Sequence, residues 1–360
     1  EALSTEDGNG ESVAVGYRAL KTQNAGVAGY NTAMGWDAGL SLTTGIRNVF
    51  IGAEAGDAVT DSDDNVAVGQ GALSTNTLGS KSTALGQAAL YAQNYGTATD
   101  SYNTAVGYHA GTAVTTGTNN TLIGSLAGDA ISTGLSNVAV GYLALSLEDE
   151  HSYNIAIGDS ALSVQNAGAD AYNVAIGYSA GFTTSTGKHN TFVGSATGAF
   201  HTTGDGNTFV GYESGKSNTS ARLTGANNTA VGKHAGLLLQ GDANINTLVG
   251  ALAGDAITTG VANTIIGYNA GSAISTSSGI VAVGKDALEI NTSGQNVAVG
   301  SNALATVTSG TRNTAVGHDA LNVSTGNDNT VLGYNAGLIV SSGTSNTFLG
   351  GLAGQNVTTG

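Results

Sequence analysis

Six histidines, His109, His151, His189, His201, His234 and His318, are the first places to look for acid–base or metal chemistry. They share no metal-ligand spacing. The chain has no cysteine, so neither a thiolate metal site nor a disulfide framework can form. Two acidic turns, Asp61-Ser-Asp-Asp64 and Glu148-Asp-Glu150, supply the oxygen atoms that a calcium ion would need. The Gly-Gly-x-Gly-x-Asp repeat of calcium-binding rolls is absent, and both turns read more simply as solvated acids. No Ser/His/Asp grouping, phosphate loop or paired-carboxylate motif stands out. The residue types therefore predict no catalytic centre, no metal and no cofactor, and the chain is expected not to be an enzyme.

The remaining candidates for binding lie in three insertions that share a Gln-Asn motif. These are Lys21-Thr-Gln-Asn-Ala-Gly26, Tyr91-Ala-Gln-Asn-Tyr-Gly96 and Ser163-Val-Gln-Asn-Ala-Gly168. Loops on a rigid scaffold often carry recognition, which makes Gln23, Asn24, Gln93, Asn94, Tyr95, Gln165 and Asn166 the candidate binding residues, expected to be exposed. A fourth insertion, Lys216 to Asn227, has a different sequence. Seven tyrosines, among them Tyr17, Tyr142 and Tyr268, follow a recurring glycine; they could stack on sugars, but shielding of a turn is the simpler role.

These residues are carried by a repeat. The pattern is Asn, a β-branched residue, an apolar residue, an aliphatic residue and Gly, and it recurs in 20 units from Gly16 to Gly350, mostly 17 residues apart. Fixed periods of this kind mark stacked architectures. The residue three before the Gly is always Val, Ile or Thr, and the residue just before it is Val, Ile, Leu or Met. Such triplets make short strands covered on both faces. Asn opens 17 of the 20 units, and stacked coils place like residues ~4.8 Å apart, close enough for an amide ladder. The polar remainder of each unit, often closing with Thr-Gly, reads as a second short strand and a turn. The prediction is an all-β parallel β-solenoid, a β-roll of about 20 coils, as a single repeat domain over 1–360.

A compensation rule runs through the units. Four residues after the Gly stands either Leu or Gly. In eight pairs, such as Ala139/Leu145 and Ala156/Leu162, the Leu accompanies Ala at the strand centre. In eight others, such as Phe50/Gly56, Leu122/Gly128 and Phe209/Gly215, a large strand centre accompanies Gly. The two positions are therefore expected to share one core volume.

Composition agrees. There are 56 glycines and no proline, which fits a backbone whose N–H donors are nearly all engaged. The net charge is -15, the wrong sign for a phosphate-binding surface, so nucleic acid is not an expected partner. No apolar run approaches the ~18 residues of a membrane span, so this segment is not expected to insert into a membrane. The chain starts at Glu1 without a signal-peptide pattern and is expected to be processed, or a fragment of a longer protein.

Units such as Ser12-Val-Ala-Val-Gly16, Asn137-Val-Ala-Val-Gly141 and Asn173-Val-Ala-Ile-Gly177 resemble the head repeats of trimeric autotransporter adhesins of the YadA type. Asn120-Thr-Leu-Ile-Gly-Ser-Leu-Ala-Gly128 and Asn346-Thr-Phe-Leu-Gly-Gly-Leu-Ala-Gly354 are also similar to phage tail-fibre repeats. The resemblance covers essentially the whole chain, although the YadA-type unit is shorter. It implies a left-handed roll, a homotrimer, and an extracellular, cell-surface or virion setting. The implied function is a structural and adhesive fibre segment whose partners are itself and a host-surface glycan or protein. The alternative is an ice-binding solenoid, since solenoids can display flat Thr arrays. The column three before the Gly holds 12 Thr interrupted by 8 Val or Ile, and it is expected to be buried.

Overall fold

The computed structural model describes residues 1–5, 10–290 and 292–357. Among the described residues there is no helix, and the chain is a parallel β-solenoid of about 20 coils, each contributing one three-residue strand to a parallel stack. The residues fall into two compact units, Glu1–Tyr178 and Ser179–Gly360. The first runs from strand Val13–Val15 to strand Val174–Ile176, the second from Thr191–Val193 to Thr347–Leu349. Register follows the repeat without a slip. Val138 pairs with Ile155, Ala139 with Ala156 and Val140 with Ile157.

The repeat glycine ends each strand. Gly141 has φ 138°, a region that L side chains rarely enter. A Cβ there would strike the carbonyl of Gly158 in the next coil, so glycine also lets the backbones stack. Beyond it the chain bends through two left-handed residues, Leu143 (φ 53°) and Leu145 (φ 54°) in this coil. That bending is why the expected second strand is mostly missing. Two-residue pairs form at Gly79–Ser80 with Thr99–Asp100 and at Val323–Ser324 with Ile339–Val340, and single parallel bridges link His201 to Leu223, Leu223 to Gly241 and Ile339 to Asn356. Coil-to-coil hydrogen bonds nevertheless continue through the turns. Leu145 N donates to Ala161 O (3.0 Å) and Ser132 N to Asp149 O (2.6 Å). A proline would remove one such donor.

The Asn column is a ladder, with a division of labour that spacing alone does not reveal. Its side-chain oxygen accepts the backbone N–H of the next coil's Asn, as from Asn137 to Asn120 Oδ1 and from Asn154 to Asn137 Oδ1 (3.0 Å each). Its Nδ2 closes the same coil, as when Asn137 Nδ2 donates to His151 O (2.9 Å). The second unit repeats this with Asn207 N on Asn190 Oδ1 (2.8 Å) and Asn313 N on Asn296 Oδ1 (2.9 Å).

The strand's central residue points inward, together with the Ala and the Leu or Gly that follow the turn. The shared volume is literal. A Cβ on Gly56 would lie 2.5 Å from the Phe50 ring, and one on Gly128 would lie 2.7 Å from Leu122 Cδ2. Sharing also crosses coils. Gly39 follows a small Ala33, yet a Cβ there would sit 2.8 Å from both Leu20 and Phe50, which reach in from either side. Replacing Ala139 by Phe while keeping Leu145 is expected to destabilise the first unit by about 1–3 kcal/mol through overpacking. A denaturation midpoint equal to that of the unmodified chain would contradict the shared volume.

Candidate functional site

The three Gln-Asn insertions are split by the fold. Asn24, Asn94 and Asn166 are exposed, but Gln23, Gln93 and Gln165 are fully buried, and so is Tyr95 apart from a 6% remnant. The expectation that all seven are exposed binding residues is therefore corrected for these four. The glutamines complete the Asn ladder from inside. In two of the three coils the ladder position holds Ser, which lacks an amide. There Gln23 Nε2 donates to Ser12 Oγ and Gln93 Nε2 to Ser82 Oγ (2.8 Å each). The next Asn then donates to the glutamine oxygen, Asn31 to Gln23 at 3.2 Å and Asn103 to Gln93 at 2.9 Å. Asn173 treats Gln165 in the same way at 2.8 Å. Tyr95 turns its hydroxyl inward to donate to Gly117 O (2.7 Å), and burial pushes its phenol up to about 12. A polar side chain inside a solenoid has to be paired, and that requirement outweighs any role for these residues in recognition at the surface.

The glutamines stand at a station that sequence reasoning passed over, seven residues after the repeat glycine. The signal was present. Where the position four after the glycine is Leu, this station is mostly polar: Gln23, Asn76, Gln93, Glu148, Gln165 and Ser324. Where that position is Gly, the station is mostly aliphatic, as at Leu42, Val59, Ile131 and Ile257. Leu304 with Val307 breaks the rule, and so do Thr184, His201 and Asn218 after Gly181, Gly198 and Gly215. The described members of the station are mostly buried.

The outer face of the strand stack is the larger feature. In each unit it presents two columns, the β-branched residue three before the glycine and the aliphatic residue just before it. All 40 positions lack charge, and every one is at least partly exposed. Met34 and Leu332, for instance, remain 49% and 47% exposed. The Thr column expected to be buried thus lies outside, because the central residue of a three-residue strand takes the single inward position and its neighbours alternate away. Beside this face the tyrosines that follow the repeat glycine are half-exposed, Tyr17, Tyr178 and Tyr334 among them.

The acidic turn at Asp61–Asp64 is spent on the fold. Asp63 Oδ1 accepts Ile46 N (2.8 Å) and Asp64 is held by Arg47 through two bonds of 2.6 and 3.0 Å. The Arg47 guanidinium lowers the Asp64 carboxyl below its ordinary value. Glu148 and His201 are instead fully buried. His201 lies wholly inside the second unit, with Thr184 Oγ1 and Asn207 Nδ2 3.2 Å from its two ring nitrogens and the Phe192 ring 5.2 Å away. No protein-family model matches the chain, and no curated protein is significantly similar to it.

Proposed function

We propose that the chain is a structural and adhesive segment of an extracellular fibre, in which three parallel copies pack their outer strand faces about a common axis. The observation that carries this reading is the uncharged double column on each unit. Its column just before the glycine is Val, Ile, Leu or Met in every coil, and soluble monomers rarely leave a contiguous apolar stripe uncovered. Parallel association in register lets like coils meet, and the surrounding charge of -15 per chain keeps assembled fibres apart. The resemblance to YadA-type head repeats and tail-fibre repeats supports the same assembly and an attachment role at a cell or virion surface. The exposed tips Asn24, Asn94 and Asn166 and the half-exposed tyrosines are the groups that remain to meet a host glycan or protein.

Val140 provides the test. It is on the outer face and partly exposed in the single chain, so Asp at this position costs the coil itself little. About the common axis the same change buries three carboxylates together, which is prohibitive without partners. Light scattering is expected to give three times the 35.3 kDa chain mass for the unmodified protein. For Val140→Asp it is expected to give the single-chain mass with an unchanged circular dichroism spectrum. An unmodified chain that scatters as a monomer rules the trimer out.

One observation favours a second reading. Thr191, Thr208, Thr229, Thr247 and Thr264 form an unbroken in-register row on the outer face of the second unit. A flat row of threonines is what an ice-binding solenoid displays. The two readings compete for one face, because trimerisation covers the row. A monomeric chain with measurable thermal hysteresis selects ice binding, and a trimer without hysteresis selects the fibre.

A further inference from the structure

Coil geometry brings Glu148, Asp149 and His151 together at the end of one turn in the first unit. One potential ligand atom from each lies within 4.8 Å of the other two. His151 Nδ1 is 2.7 Å from Glu148 Oε1 and 3.9 Å from Asp149 Oδ1. Sequence reading takes this stretch as a solvated acidic turn, and the structure corrects that for its first member. Glu148 is fully buried, at the station where other coils place Leu42, Val59 or Ile131. Its Oε1 accepts from the His151 ring and, at 3.3 Å, from the His151 backbone N–H. Its Oε2 is also buried and has no hydrogen-bond partner.

We propose that Glu148, Asp149 and His151 form a binding site for a zinc-type divalent cation. The argument starts from the cost of the apo arrangement. A buried carboxylate with one oxygen unserved is expensive, and an aliphatic residue at this station, as in the coils that carry Leu42 or Ile131, would avoid the expense. A bound cation supplies the missing positive charge. The donor set selects the type of cation. Calcium and magnesium favour all-oxygen shells, whereas an imidazole nitrogen with two carboxylate oxygens suits zinc and its transition-metal neighbours. Three protein ligands leave a fourth position to water.

The site is also held in place from behind. The His151 carbonyl accepts Asn137 Nδ2 at 2.9 Å, so the Asn ladder anchors this residue. The Asp149 carbonyl accepts both Ser132 N (2.6 Å) and Ser132 Oγ (2.8 Å) from the preceding coil. Backbone positions fixed in this way lower the ordering cost of binding. Small side-chain shifts then suffice, since ligands ~2.0–2.2 Å from a tetrahedral ion stand a little over 3 Å apart. By contrast, the acidic turn Asp61–Asp64 has its charge engaged by Arg47 and no histidine beside it.

The test is calorimetric titration of the full chain with zinc chloride after chelator treatment, repeated with Asp149→Asn, His151→Gln and Glu150→Gln. Asp149 is partly exposed, so its variant is expected to fold, and circular dichroism checks this. One zinc equivalent per chain is expected in the unmodified protein, weakened about tenfold or more in D149N and H151Q and unchanged in E150Q. Zinc is also expected to raise the melting temperature of the unmodified chain and not that of D149N. Absence of zinc binding in the unmodified chain overturns the proposal. So does equal affinity in D149N and H151Q, or equal weakening in E150Q, which would indicate general surface charge. Displacement of the zinc by an equal concentration of calcium overturns the assignment of cation type.

Discussion

Phe209→Ala is expected to lower the stability of the second unit by about 3–5 kcal/mol, the range for losing a buried aromatic ring. Phe209 is fully buried and stacks on Phe192 with ring centroids 5.6 Å apart. Its ring fills the space that a side chain at position 215 would take, since a Cβ on Gly215 would lie 2.5 Å from it. The informative experiment adds Gly215→Leu to Phe209→Ala, which recreates the Ala/Leu combination of the coil containing Ala139 and Leu145. Leu is tolerated at the left-handed φ of this station, as at Leu73 (φ 55°) and Leu145 (φ 54°), and Gly215 already has φ 55°. The backbone conformation costs Leu about 1–2 kcal/mol relative to Gly, while its burial returns about 2–3 kcal/mol and removes a cavity. The double variant is therefore expected to lie well above the single one in a denaturant titration. If the second substitution only adds to the damage, the two stations do not share a volume in that coil.

Acidification is expected to weaken the second unit through His201 by about 3 kcal/mol. Burial lowers its imidazole to about 4, with the contact to the Gly204 carbonyl and the charge of Asp205 opposing. An unfolded histidine titrates near 6.5, so between these values the unfolded chain binds the extra proton. Stability from this group is then intact above pH ~6.5, falls as the pH drops, and is fully lost below ~4. The geometry agrees with a ring kept neutral. The amide nitrogen of Asn207 beside Nε2 can only donate, so a proton on Nε2 would face another donor. Carboxylates titrate over the same range, and the measurement is therefore a difference. The melting temperatures of the unmodified chain and of His201→Leu are compared at pH 7 and pH 4.5. Leu occupies this station at Leu42 and Leu239, and the variant is expected to lose less on acidification. Equal losses in both chains would remove His201 as the cause.

The candidate site was less legible than the fold, for a physical reason visible at Gln23, Gln93 and Gln165. Their polarity, and their place in sequence insertions, both suggested solvent. Whether a polar side chain turns out or in depends on whether a partner waits inside, and the partners are Ser12, Asn31, Ser82, Asn103 and Asn173, 8 to 11 residues away along the chain. That Ser12 and Ser82 break the Asn column in coils that carry a Gln-Asn insertion is visible in the sequence. Its meaning required knowing that the station seven after the glycine meets the ladder in the interior. Glu148 was misread in the same way, because two neighbouring acids suggested a solvated turn and only coil geometry placed the first of them inside.

The sequence alone determined the coil number, the parallel stacking, the strand positions, the ladder and the exchange of volume between strand centre and turn. Each of these is a nearest-neighbour property that a repeat states many times over, so chance agreement at Val13, Val49 and the rest of the column is excluded by repetition. Tertiary structure decided direction. It placed the central residue of each three-residue strand inside and its two neighbours outside. It replaced the expected second strand by left-handed turns at positions such as Leu143 and Leu145. It buried four of the seven residues read as a binding surface. A three-residue strand has one inward position, and which residue takes it is set by how the whole coil closes, not by the order of apolar residues along it.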